Sequence, residues 1–227
     1  MQYLHEPAIP SLPIEGDVCR FPVHRIYCVG RNFAEHAKEM GATVERGQPV
    51  LFTKPADAVV AEGDPVPYPS ATSDLHHEVE LVIALGRDAA GVVPVDHADA
   101  LVFGYAVGLD LTRRDLQARA KAKGLPWDIA KGFDASAPLS RIMPGPYPRS
   151  ERLWLEVNGT QRQAAPLSDM IYSVAEVINE LSKLYRLRAG DLIFMGTPAG
   201  VAALQPGDAF RAGIDGCIEF SGTIAAP

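Results

Sequence analysis

The sequence predicts an α+β fold rich in β-structure, with few helices, on three observations. Its 20 glycines and 19 prolines punctuate many short segments, as a chain of short strands and tight turns requires. Its longest apolar runs, such as LVIAL at 81–85, have the length of a strand. No alternation of strand and helix runs through it, as a doubly wound parallel sheet would need.

Residues 1–23 are rich in proline, lack helical periodicity and read as an extended lead-in ending at Phe21-Pro22; residues 24–227 read as one domain. His24 to Gly30 (HRIYCVG) is a short β-like run, and RNFAEHAKEM after it favours helix, with Gly41 as its stop. From Pro49, PVLFTKP, AVVAEGDPVPYP and HHEVELVIALG read as strands separated by Pro, Gly and Asp. ADALVFGYAVGLDLT is apolar and leads into RRDLQARAKAKG, a charged helical stretch ending at Gly124. LWLEVNGTQRQ carries a hairpin signal in Asn158-Gly159. Ser173 and Glu176 form a capping-box pair. Val174, Val177, Ile178, Leu181 and Leu184/Tyr185 then follow at helical spacing, predicting an amphipathic helix of about three turns. After Gly190 come DLIFMG, a TPAG turn and strands through DGCIEFSGTI, with no repeat or low-complexity linker anywhere.

Composition narrows the function. With 227 residues the chain can bury a substantial core. A net charge of -7, without a basic cluster interleaved with aromatics, argues against nucleic acid. The N-terminus lacks a basic segment followed by an apolar run, and no stretch reaches the length of a membrane span. Cys19, Cys28 and Cys217 are odd in number and lack metal-ligand spacing. They read as reduced thiols of a cytoplasmic protein.

Three carboxylates carry the chemistry. Glu78 and Glu80 in HHEVELVIALG lie two apart, so one face of a strand presents both. Two anions on an apolar strand resist burial unless a cation sits between them. Asp110, at the end of LVFGYAVGLD, can close a ligand set made only of oxygens. Such a set suits Mg²⁺, Mn²⁺ or Ca²⁺ rather than structural zinc. Taken alone, the same residues also fit two solvent-facing glutamates and a loop aspartate. His36 and Glu39 are three apart on an expected helix and can touch one water together; a surface helix with scattered charges is the alternative. Arg114 and Gln117 lie one turn apart after Asp110 and can bind a substrate oxygen, or form a solvated helix face. Arg31 in GRN and Thr197 in GTPAG are further candidates, the latter on a turn that can present a hydroxyl and backbone N–H groups to a carboxylate.

Six segments in order, YCVGRNFAEHAKEMG, PVLFTKPADAVV, HHEVELVIALGR, GYAVGLDLTRRDLQ, KGLPWDIAKGFD and IFMGTPAGV, resemble the fumarylacetoacetate hydrolase superfamily, nearest its acylpyruvate hydrolase branch, over about residues 24–220. The resemblance implies a C-terminal-domain-like roll of mixed β-sheet with a few short helices, usually a homodimer, whose catalytic domain spans 24–227. It implies Mg²⁺ or Mn²⁺ held by Glu78, Glu80 and Asp110, and His36 with Glu39 as the base that activates water. It places Lys131 at the metal site, where an ammonium neutralises carboxylates or stabilises an oxyanion. Phe33 departs from relatives that carry tyrosine there, so a tyrosine hydroxyl has no role at that position. The implied activity is hydrolysis of a carbon–carbon bond in an acylpyruvate, with fumarylpyruvate, from gentisate-type aromatic degradation, as the specific expectation. Oxaloacetate decarboxylation or oxo-acid isomerisation at the same site is the alternative, and a non-catalytic oxo-acid binder a remoter one.

Overall fold

The structure, a computed structural model, describes residues 4–6, 8–39, 41 and 47–226. Its centre is a curled mixed sheet of eight strands. Seven of these run side by side: Leu51–Lys54, Arg25–Val29, Asp191–Phe194, Val79–Leu85, Val102–Leu109, Ala137–Leu139 and Val59–Ala61. Only the pairs of Asp191–Phe194 with Arg25–Val29 and of Ala137–Leu139 with Val59–Ala61 are parallel; the other neighbours on this path are antiparallel. The eighth strand, Met143–Pro144, pairs with Val102–Leu109 off this path.

Alternation along Val79–Leu85 divides the core. Val79, Leu81, Ile83 and Leu85 face one apolar cluster, which a second sheet covers with Leu153, Leu155, Phe210, Ala212 and Ile224. Val82 and Ala84 face a smaller cluster with Cys28, Ala106, Leu139 and Phe194. Glu78 and Glu80 share the parity of Val82 and Ala84, so they project beside the smaller cluster. Burial of both faces explains the continuous apolar run of this strand.

Most expected elements form. Helix α1 spans Ala34–Glu39, and Gly41 beyond it takes φ 69°; Met40, expected in this helix, lies outside the described residues. Helix α2 (Arg114–Lys123) ends on Gly124 in the left-handed conformation. Asn158 and Gly159 both take positive φ and close the hairpin of Arg152–Val157 with Thr160–Pro166. A third helix, α3 (Asp128–Lys131), stands where no helix was expected, because four residues are too few to show a period. Helix α4 (Val174–Leu184) has the full capping box, and Val174, Val177, Ile178 and Leu181 are buried.

Two expectations need correction. Leu184 is 65% exposed, because α4 ends there and Tyr185 turns extended to meet the Tyr27 ring. Within the lead-in, Ser11–Pro13 and Arg20–Pro22 pair as a hairpin that buries Leu12 and Phe21 in the smaller cluster. Among the described residues no helix is long and apolar enough to cross a membrane.

Candidate metal centre

Register brings the three carboxylates together. Val79 pairs with Leu109 and Glu80 with Gly108, and the Asp110 N–H donates to the Glu78 carbonyl at 2.8 Å. Glu78 and Asp110 therefore face one another across an antiparallel pair. Gly108 is small because a Cβ there would meet the Phe194 ring at 2.8 Å and Leu139 at 2.9 Å. One oxygen from each of Glu78, Glu80 and Asp110 lies within 4.8 Å of the others, and all three residues are buried.

Buried cations face this cluster. The Lys131 ammonium, at the end of α3, donates to Glu78 at 2.8 Å and Asp110 at 2.5 Å. Lys54 Nζ lies 2.8 Å from Asp110 Oδ1, yet its hydrogen bonds go to the carbonyls of Leu111 and Lys131. Arg114, at the start of α2, donates to Glu78 and to Gln117 Oε1. Burial works to raise the Glu78 pKa, but Lys131 and Arg114 outweigh it and hold the carboxyl well below its usual range. Burial also opposes the Lys131 charge, and Asp110 and Glu78 overcome it and raise that pKa. No ammonium donates to Glu80 among the described residues; burial, then Asp110 and Glu78, push its pKa well up, against the nearby Lys131 charge and a hydrogen bond of 2.6 Å from the Gly196 N–H.

The residues fit a divalent cation such as Mg²⁺ or Mn²⁺. Asp110 Oδ1 is buried and accepts no hydrogen bond, despite the nearby lysine. A lone pair without a donor, beside a carboxylate that the protein alone does not favour in charged form, is the arrangement a hard cation satisfies.

His36 is 5% exposed on α1, with Nδ1 3.3 Å from Glu39 Oε2. Burial lowers its pKa, while Glu78 and Glu39 act to raise it, so the imidazole is neutral near pH 7. The Glu39 carboxylate also accepts the Gly200 N–H at 3.2 Å. A narrow cleft opens onto Glu78 and Lys131 and is lined by Arg31, His36, Arg114, Gln117, Lys121 and Trp127.

Arg31, His36, Glu78, Arg114, Gln117 and Lys131 thus converge on one space. Thr197 does not line that cavity; it sits beyond Glu80, next to Gly196, and is 2% exposed. Sequence reasoning missed Lys54, Lys121, Trp127 and Gln163. Lys54 reads as the end of a strand, and only the pairing of Ile26 with Lys54 places it beside the acidic cluster. Lys121 shares the face of α2 that carries Arg114 and Gln117, a spacing visible in the sequence.

Residues 25–225 match the family model described as fumarylacetoacetate (FAA) hydrolase C-terminal. The chain is 49% identical over 198 residues to the mitochondrial oxaloacetate tautomerase FAHD1 of Rattus norvegicus, covering 86% of this chain and 89% of that one. It is 41% identical over 206 residues to the oxaloacetate tautomerase YcgM of Escherichia coli (strain K12), covering 89% and 93%. A solved structure of fumarylpyruvate hydrolase from Pseudomonas aeruginosa in complex with Mn²⁺ and pyruvate superposes with a TM-score of 0.95 at 46% identity, covering 100% of both chains.

Proposed function

The chain belongs to the fumarylacetoacetate hydrolase family, and we propose that it hydrolyses the C3–C4 bond of an acylpyruvate, best fumarylpyruvate, giving fumarate and pyruvate. The observation that carries this reading is the buried His36, held by Glu39 and opening onto the cavity that Glu78 and Lys131 line.

Glu78, Glu80 and Asp110 would hold the cation. When bound, it supplies Lewis-acid stabilisation of negative charge developing on the 2-oxo oxygen. His36 takes a proton from the attacking water, and Glu39 fixes the imidazole and supports the charge it acquires. The water oxygen bonds to C4, and the C3–C4 bond breaks with its electron pair moving toward C2 and its oxygen. A proton at C3 completes pyruvate. In this reading the Lys131 ammonium stabilises the C4 oxyanion.

Charge supports a doubly charged substrate. Three carboxylates face Lys54, Lys131 and Arg114, so a divalent cation adds two positive charges that a dianionic oxo acid offsets. Arg31 and Lys121 also line the cavity, and Arg31 has no carboxylate partner among the described residues. Arg31, Arg114, Gln117 and Thr197 are the proposed substrate-binding residues.

Keto–enol exchange of oxaloacetate is the second reading, favoured by the names of the two curated relatives above. It needs the same cation and the same base but no attacking water. Coverage of the whole chain by the fumarylpyruvate hydrolase structure favours hydrolysis. Incubating the Mn²⁺-loaded protein with fumarylpyruvate, acetylpyruvate and oxaloacetate separates these. Equimolar fumarate and pyruvate from fumarylpyruvate supports the proposal. Loss of oxaloacetate enol absorbance without pyruvate or CO₂ assigns the tautomerase, and pyruvate with CO₂ a decarboxylase. No turnover of any of the three would leave a binder.

The exposed side chains of Leu125 and Tyr185, near Val50 around a surface cavity beside α3, support a homodimer as the working form. Sedimentation of the protein as a monomer would refute the dimer.

A further inference from the structure

Gln163 is the one fully buried residue of the otherwise exposed or half-exposed strand Thr160–Pro166. A β-bulge puts it there. Glu156 pairs with Gln161 and Leu155 with Gln163, so Arg162 is the extra residue. Unbroken alternation would set Arg162 on the core face opposite Leu155; the bulge gives that face to Gln163.

The Gln163 amide uses all of its hydrogen-bonding capacity. Its Oε1 accepts from the Val79 N–H at 3.1 Å and from His77 Nδ1 at 2.9 Å. Its Nε2 donates to the Pro198 carbonyl and to Thr197 Oγ1, each at 2.8 Å. Two backbone groups settle which end is which, because an N–H cannot accept and a carbonyl cannot donate. Thr197 Oγ1 must therefore be the acceptor of its bond with Gln163. The hydroxyl hydrogen is left to donate elsewhere, and it has no acceptor among the described residues. Thr197 follows Gly196, whose N–H binds Glu80, so the residue next to Thr197 in the chain touches the oxygen cluster.

We infer that Gln163 is a positioning residue: it joins the strand of Glu78 and Glu80 to the Thr197-Pro198 turn and keeps the Thr197 hydroxyl as a donor to the carboxylate of a bound 2-oxo acid. This rests on Thr197 being a substrate-binding residue, as proposed above. A filler of space would leave the direction of that bond without consequence.

Calorimetric titration of the Mn²⁺-loaded protein with pyruvate, and of the metal-free protein with Mn²⁺, tests this. Thr197→Val should weaken pyruvate binding about ten- to a hundredfold, the range for a hydrogen bond to a charged group. Gln163→Glu still accepts from Val79 and His77, but its second oxygen loses the bond to the Pro198 carbonyl and draws the Thr197 hydrogen to itself. It should weaken pyruvate by a similar factor without weakening Mn²⁺. The double variant should be no worse than the worse single one, within about twofold, since both changes remove the same bond. Thr197→Ser should stay within about threefold of wild type, because Gln163 holds its oxygen in place; it decides the matter alone if Gln163→Glu does not fold.

Unchanged pyruvate affinity in Thr197→Val would overturn the Thr197 reading and the inference with it. Losses that multiply in the double variant, weaker Mn²⁺ binding in Gln163→Glu, or a serine variant as poor as valine would overturn the inference alone.

Discussion

The Asp110 N–H and the Glu78 carbonyl share a hydrogen bond of 2.8 Å, and this backbone contact sets the distance between two carboxylates 32 positions apart in the chain. Because sheet register fixes them, the cluster stays assembled whether or not its charges are balanced. Glu80 completes it at an electrostatic cost, since burial and its two acidic neighbours disfavour its charged form.

Glu80→Gln should therefore raise the melting temperature of the metal-free protein, corresponding to about 1–2 kcal/mol, by removing a carboxyl whose ionised form the buried site disfavours. It should also weaken Mn²⁺ binding at least about a hundredfold, since one anionic ligand of three is lost. In the wild-type protein the raised Glu80 pKa means that a proton leaves as the cation arrives, so Mn²⁺ affinity falls as pH is lowered. Melting curves in chelator, and titrations in buffers of different ionisation enthalpy, check both. A destabilised metal-free Glu80→Gln would contradict this account.

Lys54 stands in the opposite position. Its ammonium is buried against Asp110 at 2.8 Å and also ties down the Leu111 and Lys131 carbonyls. Lys54→Met should cost about 3–5 kcal/mol in chelator, the range for removing one partner of a buried pair. Saturating Mn²⁺ should recover part of that loss by neutralising Asp110. Urea denaturation with and without Mn²⁺ gives the comparison, and an equal loss in both would deny any shared charge.

These cases mark what the sequence could and could not convey. Glu78 and Glu80 were legible because period-two alternation on a long apolar run is a local signal. Asp110 was legible as the end of the next apolar run. Lys54 joins the cluster only through pairing with a strand that begins at residue 25, and Gln163 only through a bulge; neither leaves a periodic trace. Helix α3 was too short to read, and Lys131 was assigned through family resemblance alone. The hairpin of the lead-in was hidden by prolines, which suit its edge positions at 13 and 22 as well as they suit a coil.

The pH profile should report His36. Burial lowers its pKa, so the base is already unprotonated near pH 7, and kcat/KM should rise with pH along a limb centred below 6.5, the ordinary imidazole value. Glu39 acts to raise that pKa, so Glu39→Gln should move the limb to still lower pH while reducing kcat. His36→Gln should lower hydrolysis about a hundred- to ten-thousandfold and leave Mn²⁺ affinity near wild type. A limb that stays put in Glu39→Gln would assign it to another group.

Substrate charge should be read by Lys121. Its ammonium sits 5.2 Å from the centre of the Trp127 ring and shares the cavity with Arg31 and Arg114. Partial burial, then repulsion from Arg114 and Arg31, lower its pKa against the attraction of Glu78, so cations outnumber the carboxylate that lines this site. The far carboxylate of fumarylpyruvate or oxaloacetate would relieve that repulsion, whereas the methyl of acetylpyruvate would not. Lys121→Gln should raise KM for the two dicarboxylates about three- to tenfold, a modest effect because the side chain keeps contact with solvent. Acetylpyruvate should change by less than about twofold, since its neutral end forms no ion pair there. Adding Arg31→Gln should widen the gap, because both cations would face the same carboxylate. Equal changes for all three substrates would place Lys121 outside recognition and leave Arg31 as the sole candidate for the distal charge.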